Sequence, residues 1–219
     1  MSYYLQAEKV SLDDLQTRIE ETDLVPSRSS LLEDIKDKFE ILKSIGISTL
    51  ADLRKELKNS KKIPSFSKKT GIEEQYLALL RREIEGYFPK SIPLKSFDWL
   101  PKRELSKLEG EGYKNAALLF EALDSSKKRE EIINTLKIDA KFIDLIYSLV
   151  DLTRIQWVNH TVARMLASAG YTNTKMVSKA NAEKLCGQLD RVNKENKFFK
   201  GKIGLRDIKR LIKAASYVQ

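Results

Sequence analysis

The chain has 219 residues, with 40 Lys and Arg against 31 Asp and Glu for a formal net charge of +9, and 42% of its residues are hydrophobic. That much apolar material excludes wholesale disorder, 9 Gly and 5 Pro exclude collagen-like and linker-like chains, and a single Cys excludes a disulfide framework. No apolar run approaches the ~20 residues that cross a bilayer, and the N-terminus shows no basic region followed by an apolar stretch, so a soluble cytoplasmic protein is expected.

Taken in chain order, nearly every periodic segment reads as a helix. Ser11 with Asp14 three residues on is a helix start, and Leu12, Leu15 and Ile19 follow at helical spacing. Pro26 and the serines at 27, 29 and 30 break the chain before a helix from about 31 to 44. A helix over 50–57 comes next, then a Lys-rich loop over 58–69 and a helix over 71–87. Pro89 and Pro93 mark a linker over about 88–97. Further helices are predicted near 101–109, 115–123, 127–135, 139–153, 159–168, 173–179, 181–190 and 204–217. Sustained two-residue alternation is absent, so the expected fold class is all-α with little or no sheet.

Two signals recur. Leu42, Leu108 and Leu166 are each followed, four residues on, by Gly46, Gly112 and Gly170, and then by Ile47, Tyr113 and Tyr171. A helix ends there, Gly takes the left-handed position, and an apolar residue folds back on the last turn. Ser48, Asn115 and Thr172 are then positioned to cap the next helix. Between these sites, Gly71-Ile72-Glu73, Lys137-Ile138-Asp139 and Lys202-Ile203-Gly204 each precede an apolar-periodic helix. The two signals advance together, which implies stacked helical repeats. The expected division is capping helices over 1–34 and repeat units over 35–95, 96–154 and 155–219.

The stretch Ile155 to Leu166, followed by Gly170-Tyr171-Thr172, looks like a helix-hairpin-helix unit and resembles the SAM-like helical domains in front of RadA-type recombinases. From about residue 30 onward the chain is similar to the domain-of-unknown-function family 4332. The resemblance implies tandem helix-hairpin-helix-like repeats and contact with duplex DNA. In such hairpins a Gly-apolar-Gly turn lets backbone N–H groups approach a phosphate at a helix N-terminus. Here Glu73 and Asp139 replace the second glycine and read as helix caps that would repel phosphate. Trp157-Val158-Asn159 has lost both glycines, with Asn159 tolerating the left-handed conformation. Only Gly201-Lys202-Ile203-Gly204 suits an anion.

The charge supports that last hairpin. Residues 191–213 hold nine basic and two acidic side chains, and a second basic run covers Arg54, Lys55, Lys58, Lys61, Lys62, Lys68 and Lys69. Such asymmetry is the footprint of a polyanion partner, set against a merely solvated Lys-rich surface. The expected phosphate contacts are Lys197, Lys200, Lys202, Arg206, Lys209, Arg210 and Lys213, with Gly201 and Gly204 allowing close backbone approach. On the last helix the cations share one face, and Leu205, Ile208, Leu211, Ile212 and Ala215 share another. Nothing resembles a base-reading array, so binding is expected to be sequence-independent. The alternative is a protein-interaction scaffold that keeps the fold without the DNA site; an acidic protein or a membrane surface is a lesser alternative partner.

Catalytic signatures are lacking. His160 is the only histidine and Cys186 the only cysteine, so no usual zinc set can be assembled. His160 reads as a surface or capping residue and Cys186 as a small buried one. No phosphate-binding glycine loop or nucleophile elbow occurs. The expectation is a non-enzyme without cofactor, metal or small-molecule substrate. Of the aromatic residues, Phe198-Phe199 between Lys197 and Lys200 is the pair left open for base stacking.

Overall fold

The computed structural model describes residues 2–201 and 203–218. These form thirteen α-helices, four short 3₁₀ helices and no strand; two isolated bridges are the extent of β-pairing among the described residues. The all-α expectation holds. No helix is long and apolar enough to cross a membrane among the described residues. The chain divides into two compact units, Leu5–Phe88 and Pro89–Gln219 with Met1–Tyr4.

The first unit contains α1 (Leu12–Glu21), α2 (Ile35–Ser44), α3 (Leu50–Leu57), α4 (Ile63–Thr70) and α5 (Glu74–Glu85). Ser11 starts α1 as its residue type predicts: its Oγ accepts the Asp14 amide at 3.0 Å, and Asp14 accepts the Ser11 amide in return. Leu12, Leu15 and Ile19 then face a core with Phe39, Leu42 and Leu53. Two expectations are corrected here. The segment 26–32 is a 3₁₀ helix, so α2 starts only at Ile35. The Lys-rich stretch 58–69 is not a loop; it contains α4, with Pro64 in the first turn, where a missing N–H costs nothing, and Ile63, Phe66 and Thr70 buried at helical spacing. The lysines concealed that stripe.

The second unit contains α6 (Lys102–Gly110), α7 (Ala116–Leu123), α8 (Ser126–Leu136), α9 (Ala140–Leu152), α10 (His160–Ser168), α11 (Thr174–Ser178), α12 (Ala182–Asn196) and α13 (Leu205–Ser216). One large cluster, including Phe97, Leu108, Phe120, Ile146, Leu166, Leu189 and Leu211, forms its core. Tyr3 belongs to it: its ring packs edge-on to Phe120 and its hydroxyl lies 3.0 Å from the Thr153 Oγ1. Desolvation pushes that phenol up to about 12. Arg154 is buried beside it, its Nε donating to the Tyr3 carbonyl at 3.2 Å and its Nη1 to Asp151 Oδ1 at 2.7 Å.

The recurring Leu-to-Gly signal corresponds to one hydrogen-bonded end on three helices. Ile47, Tyr113 and Tyr171 donate their amides to the carbonyls of Leu42, Leu108 and Leu166 at 3.2, 3.1 and 2.9 Å. Gly46, Gly112 and Gly170 donate to Lys43, Glu109 and Ala167, each at 3.0 Å, and have φ of 90°, 91° and 88°. This is the Schellman closure, and a Cβ at those angles would be strained. The cap of the following helix sits one residue later than expected in two cases, at Thr49 rather than Ser48 and at Asn173 rather than Thr172; Asn115 caps α7 as expected. The next amide along is satisfied by a distant group each time. Leu50 donates to the Val10 carbonyl, Ala116 to the Ile92 carbonyl, and Thr174 to Asp151 Oδ2, at 2.8, 2.8 and 2.7 Å.

Candidate nucleic-acid interface

Three of the turn tripeptides share one backbone shape. Gly71, Lys137 and Trp157 are left-handed at φ 74°, 50° and 70°. Ile72, Ile138 and Val158 follow and are buried, and Glu73, Asp139 and Asn159 stand at the N-cap of α5, α9 and α10. Asp139 accepts the Lys141 amide at 2.8 Å, whereas Glu73 makes no side-chain cap bond. In the third tripeptide the left-handed residue is Trp157, not Asn159. Asn159 is extended and accepts the Val162 amide at 3.0 Å. A short polar side chain is worth more at the N-cap than in the left-handed position, so the bulky Trp takes the strained one.

The last hairpin links α12 to α13. α12 runs to Asn196, six residues past its expected end, and Lys197 closes it in the left-handed conformation at φ 54°. Asn193 holds the return of the chain. It donates Nδ2 to the Phe199 carbonyl at 2.8 Å and accepts the Phe199 amide at 2.7 Å. The Cys186 thiol donates to the Ile203 carbonyl at 3.7 Å, so this cysteine, half-buried rather than buried, ties the hairpin to α12. Gly201 sits beneath the Phe199 ring; a Cβ there would lie 2.5 Å from the ring edge. Gly204 caps α13, and its amide donates to Asp207 Oδ2 at 3.3 Å.

The expected site residues fall around this hairpin as follows. Lys197, Lys200, Arg206 and Lys209 are exposed, as are Gly201 and Asp207, and Gly204, Arg210 and Lys213 are half-buried. Lys202 lies outside the described residues. The Lys213 ammonium lies 5.4 Å from the Tyr217 ring centroid. Ile208, Leu211 and Ala215 are buried as their helical face predicts, and Ala214 joins them, but Leu205 at the first turn is exposed.

The structure adds a feature that charge patterning did not reveal. α10, the middle of α12, the hairpin and α13 enclose an open groove of about 410 Å³, lined mainly by apolar side chains. Trp157 and Phe199, 47% and 49% exposed, both line it. The Arg210 guanidinium lies over the Trp157 ring at 4.6 Å, and its Nε, shielded from solvent, has no hydrogen-bond acceptor. Phe198 also lines the groove, but Arg164 covers its ring at 4.4 Å and that of Trp99 at 4.7 Å. His160 stacks on Trp99 at 6.0 Å. Of the Phe198-Phe199 pair, only Phe199 therefore presents an open ring. The signal for Trp157 was its place in a turn that wants glycine.

The second basic run is less concentrated. Arg54 is committed to Glu85, donating Nε at 2.7 Å and Nη2 at 3.1 Å, and it lies 3.8 Å from the Phe88 ring centroid. Lys55, Lys58, Lys61, Lys62, Lys68 and Lys69 are exposed. No group of three or more His, Cys, Asp or Glu side chains among the described residues is arranged to hold a metal ion.

Residues 100–217, α6 through α13 and so the whole groove, match the family described as Domain of unknown function, DUF4332. The chain belongs to this family. Its description carries no activity, so DUF4332 membership establishes kinship and leaves the chemistry to the residues. No curated protein and no solved structure is significantly similar to the chain.

Proposed function

We propose that this protein is a non-catalytic, cytoplasmic nucleic-acid-binding protein. Its repeats are helix-hairpin-helix-like, and its C-terminal repeat grips backbone phosphates, those of duplex DNA by analogy of fold, without reading sequence. The observation that carries this reading is the set of exposed cations Lys197, Lys200, Arg206 and Lys209 gathered on one hairpin and the helix it opens. Four such cations can displace about as many counterions, so affinity falls steeply with salt. The other turns carry Glu73, Asp139 and the capping Asn159, which leave no amide-rich anion cradle. Asp207 tempers the site, since its carboxylate already accepts the Gly204 amide that a phosphate would use. Phosphates are therefore held by side chains more than by backbone.

A protein-interaction role is the second reading, and the apolar groove favours it, because exposed apolar surface of this kind commonly marks protein contacts. Fluorescence anisotropy of a labelled ~20-bp duplex across salt concentrations separates the two. The DNA reading expects a log–log salt slope of about −3 to −4 and at least tenfold weaker binding by a Lys200/Lys202/Arg206/Lys209→Glu variant. Arg210 is left intact there because it covers Trp157. Failure of the folded wild type to bind at low salt ends the DNA reading.

A further inference from the structure

We propose that the groove beside α13 is a base-stacking site, so that the preferred ligand is single-stranded nucleic acid. This rests on the phosphate-binding reading above and puts single strands ahead of the duplex as its preferred ligand.

Two exposed aromatic rings line one open groove, Trp157 from the turn before α10 and Phe199 from the hairpin after α12. In a duplex the faces of the bases are stacked on one another and closed to such rings. In a single strand they are free, and every base has a face to offer. The indole of Trp157 is backed by Arg210, and nearly half of the residue still meets solvent. A base laid on it would complete a cation–ring–base stack, the guanidinium drawing on the same ring face chemistry that favours cation–π pairs. The volume, about 410 Å³, lies within the roughly 300–1,000 Å³ of small-ligand sites.

Charge decides the occupant. Phe199 lies in the run Lys197-Phe198-Phe199-Lys200, and both lysines are exposed, so a strand whose base stacks on that ring has ammonium groups within a residue or two in sequence to meet its phosphates. The one carboxylate among the described residues that line the groove is Asp207, which disfavours phosphates beside it. An acidic or apolar peptide would also meet the rings, but open rings together with exposed cations match a strand that carries both bases and phosphates. Few polar groups line the walls, Asn159 and Thr161 among them, so discrimination between bases is weak.

The test compares a labelled ~15-nucleotide oligothymidine, an abasic strand of equal length and charge, and a duplex of that length, by anisotropy at one salt concentration. The expected result is about tenfold tighter binding of oligothymidine than of the abasic strand. Trp157→Ala and Phe199→Ala each remove most of that difference and leave abasic binding unchanged, with the helical circular dichroism retained. Trp157→Phe keeps a ring and keeps most of the gain. Equal binding of the two single strands, or tighter binding of the duplex, overturns the stacking site and leaves the cation reading standing. No binding of any of the three fails both.

Discussion

Asp207 Oδ2 accepts the Gly204 amide at 3.3 Å, which sets a carboxylate on the one turn whose glycine and flanking lysines suit a phosphate. The contact stabilises the start of α13, because an acidic group near a helix N-terminus is favoured by the helix dipole. It also opposes any phosphate approaching the same amide. Asp207→Asn should therefore tighten nucleic-acid binding several-fold at low salt, the gain shrinking as salt rises, while lowering helix stability by about 0.5–1 kcal/mol. Anisotropy titration beside thermal melting reads both effects. Unchanged affinity would show that phosphates pass elsewhere.

The ion pair of Asp151 and Arg154 is buried, and the carboxylate also accepts the Thr174 amide. Removing one member strands a desolvated charge and an unpaired amide. Asp151→Ala should cost about 3–5 kcal/mol, seen as a lower denaturation midpoint. A loss below about 1 kcal/mol would mean that water replaces the carboxylate.

Tyr3 offers a second test of the core. Tyr3→Phe removes its hydroxyl contact with Thr153 and should cost about 1 kcal/mol, whereas Tyr3→Ala should cost about 3–5 kcal/mol. Because burial raises the phenol to about 12, its stabilising contribution is complete below pH 10, its ordinary value, and is lost as pH rises toward 12. Ultraviolet titration should find a late-ionising tyrosine that is missing from Tyr3→Phe.

In acid the sign reverses. The Arg54 guanidinium, hydrogen-bonded to Glu85, holds that carboxyl below its usual 4.5, and the Thr49 hydroxyl leads the groups that lower Asp52 below 3.8. A depressed carboxyl adds stability above its unfolded value and loses it as pH falls through the folded one. Melting temperature should therefore drop from pH 5 to pH 3, and Glu85→Gln should show a smaller drop with a lower starting value.

The Schellman glycines allow a conformational cost to be measured cleanly. At Gly112 and Gly170 a Cβ would meet nothing within 4 Å, so Gly→Ala there pays for the left-handed backbone alone, about 1–2 kcal/mol. Gly201→Ala differs in kind. The new methyl displaces the Phe199 ring, so ligand affinity should fall with little change in melting temperature.

What the sequence determined by itself was whatever short-range physics controls. Helical spacing of Leu12, Leu15 and Ile19, the Ser11–Asp14 box, and the left-handed glycines at 46, 112 and 170 each act within one or two turns, so twelve of the thirteen helices were legible as elements. The buried stripe Ile208, Leu211 and Ala215 of α13 was legible for the same reason. Where polar and apolar signals overlap, the local pattern is ambiguous. The lysines of 58–69 hid α4, whose burial depends on Ile63, Phe66 and Thr70 instead. The tertiary structure alone decided which distant group satisfies each repeated amide, since Val10, Ile92 and Asp151 bear no common local pattern. It alone seated Tyr3 against Phe120 and Thr153, more than a hundred residues away. It also made the groove, because Trp157 and Phe199 stand 42 positions apart and converge only when α10 and α13 pack beside the same hairpin. Long-range contacts of this kind carry no signature in local periodicity; they follow from how apolar faces close on one another.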